Sequence, residues 1–152
     1  MQPLDIPPDG VIIDLRLVAD RRMAASVYDR LDAWIAHVAG TDESCFVVDT
    51  DLVVRGASAS ALEILQPSAS PLGRPLLPIL FELVDEPLMF GEVDRFPPVY
   101  AARQDLQGRA IVRCRRADGL VISVDVIAVP LHDRRRIVGA VSFINQVYPP
   151  QR

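Results

Sequence analysis

The sequence predicts an α+β domain in which an antiparallel sheet carries short helices on one face and an N-terminal helical cap on the other. Three observations predict it. Gln107 to Val147 reads as three consecutive strands, with turns at Asp118-Gly119 and at His132 to Arg135. Asp-Gly between β-rich runs is a strong hairpin signal, because a type I′ turn holds both central residues at φ > 0. Seven of the thirteen prolines fall between residues 66 and 98, a density that breaks long elements and leaves only short helical turns. Finally, Val27, Leu31, Trp34, Ile35 and Val38 recur at helical spacing and form one apolar stripe.

With 152 residues, half of them hydrophobic, the chain is long enough for one domain with a real core. No apolar run approaches the ~18 residues of a membrane span. The opening MQPLDIPPDG is acidic and proline-rich and lacks the basic-then-apolar order of a signal peptide, so the expected compartment is the cytoplasm. A net charge of −4 argues against a nucleic-acid partner held by phosphate contacts. All sixteen basic residues are Arg; without Lys there is neither Schiff-base chemistry nor a Walker-type phosphate loop. Cys45 and Cys114 form no Cys-x-x-Cys pair and fall inside predicted strands, so both read as buried, reduced thiols.

In chain order, residues 1–16 form an extended lead, with Val11 to Leu17 ambiguous between strand and helix. Residues 17–40 are the amphipathic cap, ended by Gly40 at the C′ position. Ser44 to Gly56 is strand, turn, strand, with Asp49-Thr50-Asp51 at the bend. Ala57 to Leu65 is a short helix capped by Ser58 or Ser60, burying Leu62 and Leu65. Pro75 to Val84 is a second helix, irregular until Pro78 is passed, turning Leu76, Ile79, Leu80 and Leu83 inward. Asp85 to Phe96 reads as loop, and Pro97 to Gln107 as a helix opened by proline. In the meander, Ala110, Val112 and Cys114 share one side, and Ile111, Arg113 and Arg115 the other; Ile122, Val124 and Val126 oppose Ser123 and Asp125. The last strand, Ile137 to Val147, is apolar on both sides, the mark of a central strand covered twice.

This order of elements, over about Ser44 to Val147, resembles the PAS domain family. CFVVDTDLVVRGASASALEIL looks like that family's opening hairpin and first small helix, although Ala57 or Ser58 stands where Asn is frequent. PLGRPLLPILF resembles the following segment, and RCRRADGLVISVDVIAVPLHDRRRIVGAVSFINQV the closing meander. The resemblance implies a five-stranded antiparallel sheet in the order 2-1-5-4-3, an internal cavity beneath the short helices, a PAS-like domain over 41–148, and an N-terminal helix of the kind that mediates dimers.

The expected ligand pocket is apolar: Val47, Leu76, Ile79, Leu80, Tyr100, Val112, Ile122, Val124, Val141 and Phe143. Such a lining holds an apolar small molecule or is simply a filled core. The expected dimer interface is Val27, Leu31, Trp34, Ile35 and Val38. No cofactor is expected. The family's flavin-adduct members carry Asn-Cys-Arg-Phe where this chain has GRPLLPILFEL, and its haem-binding members place a His in the helix that here reads PPVYAARQDLQ, with Tyr100. His37 and His132 are expected in solvent. Gly56-Ala57-Ser58-Ala59-Ser60 lacks the closing glycine of a nucleophile elbow. Asp85, Glu86, Glu92 and Asp94 lack calcium-loop spacing. Arg113, Arg115 and Arg116, with Arg134 to Arg136, suggest a basic edge at two neighbouring hairpin ends, either a charged sheet face or a surface for an acidic partner.

The function that follows is a non-enzymatic, homodimeric sensory or signalling domain that regulates a partner protein by contact, with an apolar small ligand as the possible gate. Pro149-Pro150 stops any helix after Val147, so output is expected to pass through noncovalent contact. The alternatives are a lipid carrier and a small α+β enzyme with a conical pocket. The enzyme needs Asp125 as a base inside a closed cavity, whereas strand parity sends Asp125 to the side of Ser123.

Overall fold

A computed structural model describes residues 31–85 and 90–148. The extended lead, the choice between strand and helix at 11–17, the helix start at residue 17 and the interface candidate Val27 lie outside the described residues. The elements run α1 (Leu31–Gly40), β1 (Cys45–Asp49), β2 (Val54–Ala57), α2 (Ala59–Leu65), α3 (Leu76–Leu83), α4 (Phe90–Val93), α5 (Pro97–Gln104), β3 (Gly108–Arg115), β4 (Val121–Asp133) and β5 (Arg136–Val147). The strands form one antiparallel sheet in the order β2-β1-β5-β4-β3, as the resemblance implies.

Strand β5 lies at the centre and is buried on both sides. Alternate side chains leave a strand on opposite faces, and here each face meets its own cover. Val141 and Phe143 join Cys45, Val47, Val129 and Leu131 beneath Trp34 and Val38 of α1. Ala140 and Ile144 point the other way. Ala140 packs with Val48, Ala128, Val99 and the inward row of α3, while Ile144 packs with Ala61, Cys114, Ile122, Val124 and Val126. Helix α5 rides directly on β4 and β5, and its Ala101 and Ala102 share a core with Ala128 and Ala140. Small residues on both surfaces permit that close approach.

Local chemistry explains the element ends. The Ser58 hydroxyl accepts from the Ala61 N–H at 3.1 Å, which caps α2, and from the Cys45 N–H at 3.1 Å, which ties that cap to β1. Helix α3 is regular from Leu76 rather than irregular to Pro78. Pro78 sits in the first turn, where the missing N–H has no intrahelical partner to lose. The stretch read as loop contains the one-turn α4. Helix α5 stops at Gln104 because Asp105 takes a left-handed conformation, φ +56°.

The two hairpin turns exchange the expected chemistry. At Asp118-Gly119 only Gly119 has positive φ, +87°, and its N–H donates to the Arg116 carbonyl at 2.9 Å. Only one left-handed residue is present, so a type I′ turn is ruled out there. The β4–β5 turn is the one with two left-handed residues, and both are arginine: Arg134 at φ +57° and Arg135 at φ +98°. His132 and Asp133 belong to β4 rather than to the turn. His132 is not free in solvent but pairs with Asp105 at the end of α5.

Both sheet edges are partly closed by irregular chain. The Val54 N–H donates to the Arg74 carbonyl at 3.0 Å and the Gly73 N–H to the Val54 carbonyl at 2.8 Å, while the Leu76 N–H reaches the Leu52 carbonyl at 2.7 Å. On the other edge Val84 bridges to Cys114, and the Asp85 N–H donates to the Arg113 carbonyl at 2.9 Å. The hairpin-end arginines do not form one basic edge, because the turns of a meander lie at opposite ends of the sheet. Arg113 and Arg115 both pair with Asp85, and Arg116 pairs with Asp118.

Glycine is required where β5 meets the end of β1. A Cβ on Gly139 would stand 2.1 Å from the Val48 carbonyl oxygen, a backbone atom with no freedom to yield. Gly139→Ala is expected to cost more than ~3 kcal/mol, read as a lowered urea midpoint.

Candidate functional site

The described residues enclose an apolar cavity between the β1–β2 hairpin and the helices α2 and α3. Phe46, Val54 and Ala57 supply the sheet wall; Ala61, Leu62 and Leu65 the α2 wall; Leu76, Ile79, Leu80 and Leu83 the α3 wall; Pro67 and Pro71 close it from the connecting loop. Its volume is about 40 Å³ and it is partly open to solvent. The geometry follows from sequence. Leu76, Ile79, Leu80 and Leu83 lie on one helix face, Ser58 holds α2 at the start of β1, and the Gly73–Leu76 segment bonded to Val54 of β2 fixes the start of α3. Every lining side chain is apolar, so the cavity favours an uncharged, apolar occupant.

Of the expected pocket residues, Leu76, Ile79 and Leu80 line this cavity. Val112, Ile122 and Val124 lie on the correct sheet face but pack in the neighbouring cores rather than against the cavity. Tyr100 is half-buried on α5, with its ring near the backbone of Gly108. Val47, Val141 and Phe143 are on the opposite face, under α1. Phe46 pairs with Ser142, and Val47 with Val141, so the cavity side of β1 and β5 carries Phe46, Val48, Ala140, Ser142 and Ile144. The other lining residues are not in the expected pocket: the sequence turns Leu62, Leu65 and Leu83 inward without tying them to it, and gives no such signal for Phe46, Val54, Ala57, Ala61, Pro67 or Pro71.

Of the expected dimer stripe, the described residues are Leu31, Trp34, Ile35 and Val38. Trp34 and Val38 are buried against this chain's own sheet, while Leu31 and Ile35 are half-buried at its margin. Helix α1 sits so close to β2 that a Cβ on Gly56 would come within 2.7 Å of Val38.

Asp125 sits on the sheet face opposite the cavity. It is 2% exposed and is held by two parallel bonds from Arg109, Nε to Oδ1 at 3.1 Å and Nη2 to Oδ2 at 3.3 Å. A carboxylate so engaged, and facing away from the cavity, does not meet the requirement for a base in a closed pocket. Among the described residues no group of three or more His, Cys, Asp or Glu is placed to hold a metal ion, and no helix is long and apolar enough to cross a membrane.

No protein-family model matches the sequence, and no curated protein sequence does. Solved structures do match its fold. The sensor region of a sensor histidine kinase superposes with a TM-score of 0.53 at 26% identity, over 68% of this chain and 38% of that one. The LOV domain of the Erythrobacter litoralis blue-light-activated histidine kinase gives 0.56 at 20% identity, over 70% and 96%. The PAS domain of a Colwellia psychrerythraea protein gives 0.54 at 14% identity, over 77% and 96%. This chain has a PAS-like fold. It spans little more than a third of the histidine-kinase sensor region and nearly all of the two isolated domains.

Within this PAS-like domain Cys114 belongs to the core cluster that Ala61 shares with the cavity wall. Burial pushes its thiol from the ordinary 9.0 to about 11. The folded state therefore keeps the proton longer than the unfolded chain. The stabilisation is complete below about pH 9 and is lost as pH rises toward 11. Cys114→Ala lacks this dependence. The stability of the unmodified protein relative to that variant is expected to fall by ~2–3 kcal/mol between those pH values, measured by urea unfolding at each pH.

The ion pair gives a second expectation. Arg109→Met strands a buried carboxylate and should destabilise by ~3 kcal/mol or more, whereas Arg109→Met with Asp125→Leu should recover most of the loss, as read by thermal unfolding.

Proposed function

We propose that this PAS-like domain is a non-enzymatic sensory module whose small cavity, when occupied by an uncharged apolar compound, alters the seating of α1 and so a contact with a partner protein. The observation that carries this reading is the double burial of β5. Ala140 and Ile144 belong to the cores around α2, α3 and α5, and Val141 and Phe143 to the core under α1. A displacement of β5 from one side must move residues packed on the other, because close-packed interiors transmit strain rather than absorb it. The match to a histidine-kinase sensor region supports a signalling role. We take 41–148 as the sensory unit and 17–40 as its cap.

The cavity volume favours a sensor over a lipid carrier. At about 40 Å³ it is far below the ~300 Å³ at which ligand pockets ordinarily begin. Self-association through α1 is the second part of the proposal. Trp34 and Val38 are committed to the sheet, so Leu31 and Ile35, half-buried at its edge, are the residues offered to a second copy. Sedimentation that shows only monomer at tens of micromolar would remove this part.

Filling the cavity tests the coupling. Ala61→Leu places added carbons among Leu62, Leu80 and Ile79 and is expected to change hydrogen exchange of the Ile35 to Ala39 amides severalfold. Unchanged α1 exchange in a folded variant would sever cavity from cap. Native mass spectrometry of freshly purified protein should show a retained small molecule; a clean apo mass would favour a purely protein-binding domain.

A further inference from the structure

On the cavity side of β5 a hydroxyl has been left alone. Ser142 is fully buried, and its Oγ has no hydrogen-bond partner. Its cross-strand neighbours are Phe46 on β1 and Ala128 on β4. Along β5 it stands between Ala140 of one core and Ile144 of the other. An unmade hydrogen bond in such surroundings costs the fold stability, and alanine at the same position would leave nothing unsatisfied. A buried, unpaired polar atom in a folded protein calls for a reason.

Phe46 connects this hydroxyl to the cavity. It lines the cavity, is only half-buried, and packs against both cores of the helix face. Directly paired residues of antiparallel strands hold their Cβ atoms ~5 Å apart on a shared face. Ser142 therefore lies directly beside Phe46 on the same sheet face, fully buried, while Phe46 forms the cavity wall. The cavity at about 40 Å³ is roughly a quarter of the ~150 Å³ that admits benzene, so an organic ligand needs further room, and the Phe46 ring stands where it can be made.

We infer that Phe46 is a movable partition and that Ser142 is the polar anchor of the ligand site: the cavity takes the apolar body of a small neutral compound, and the Ser142 hydroxyl bonds its single polar group. This rests on the cavity being the ligand site and adds the ligand's chemistry. A purely aliphatic or aromatic hydrocarbon leaves the hydroxyl unpaired. An ion brings charge into a site whose walls offer no counter-charge. A small phenol, alcohol or ketone satisfies both halves, since a hydroxyl can donate or accept.

Phenol and toluene, nearly equal in shape, are suitable probes, titrated into the full chain with backbone amide NMR shifts as the readout. Phenol is expected to shift Leu76, Ile79 and Ser142 and to bind Ser142→Ala about fivefold more weakly than the unmodified protein; toluene should bind the two equally or favour the variant. Ser142→Ala should also melt several degrees higher without ligand, because it removes an unpaired group. Phe46→Leu should strengthen phenol binding by thinning the partition. Equal phenol affinity for the unmodified protein and Ser142→Ala, with the cavity residues still shifting, would overturn the anchor and leave the cavity as ligand site. A lowered melting temperature for Ser142→Ala would overturn it too, by showing that the hydroxyl already has a partner. Unchanged phenol affinity in Phe46→Leu would overturn the partition. If neither probe perturbs the cavity residues, the ligand-site reading fails and the inference with it.

Discussion

The middle of strand β5, Gly139 to Ile144, has no face to give to water, and the other elements are arranged around that constraint. A central strand flanked by β1 and β4 satisfies its backbone, but its side chains need apolar cover on both sides. Among the described residues one cover is a single helix, α1. The other is assembled from three short helices and the chain between them, because the proline-rich middle of the sequence forbids a long one. A lone helix can seat close along its length, and Gly56 removes the side chain that would hold α1 away from β2. Several short helices seat less completely. The residual cavity lies on their side, where α2 and α3 meet the hairpin, whereas α5 closes onto β4 and β5 through small residues.

Most of this architecture was legible in the residues. Strand and helix periods, a capping serine, proline at helix starts and the two-sided apolarity of Ile137 to Val147 each identified an element. The pocket was not legible to the same degree, and the reason is parity. In β3 the arginines mark the outward side, so Val112 was assigned to the correct face. In β1 and β5 both sides are apolar, and nothing in FVVD or GAVSF distinguishes inward from outward. A shift of one residue exchanges the faces. The expected pocket thus joins Val47, Val141 and Phe143 to Leu76, although the whole sheet lies between them.

The ion pairs were illegible for a different reason. Asp85 and Arg115 are thirty positions apart, joined only because the end of α3 lies along β3. Arg109 and Asp125 meet across two strands whose register the turn decides. The same holds for His132, which looked free because Asp105, its partner, was expected inside a longer helix. Charge patterns in the sequence overstated the free arginine surface. Once Asp85 and Asp118 are in place, each of Arg113, Arg115 and Arg116 has a carboxylate partner, and the exposed run Arg134 to Arg136 stands apart at the far end of the sheet.

The segment from Gly73 to Leu76 has two duties that bear on each other. Its backbone closes the first residue of the outer edge of β2, Val54, and it sets the start of α3, the far wall of the cavity. A motion that swings α3 outward to enlarge the cavity would also strip hydrogen bonds from β2 and bare an unpaired strand edge. Exposed edges recruit other strands. Wide opening of the pocket therefore carries a risk of edge-to-edge aggregation, whereas a ring turning in place on β1 leaves the edge covered. If the Phe46 ring is the movable partition proposed above, extra internal space comes from a side chain and the β2 edge keeps its hydrogen bonds.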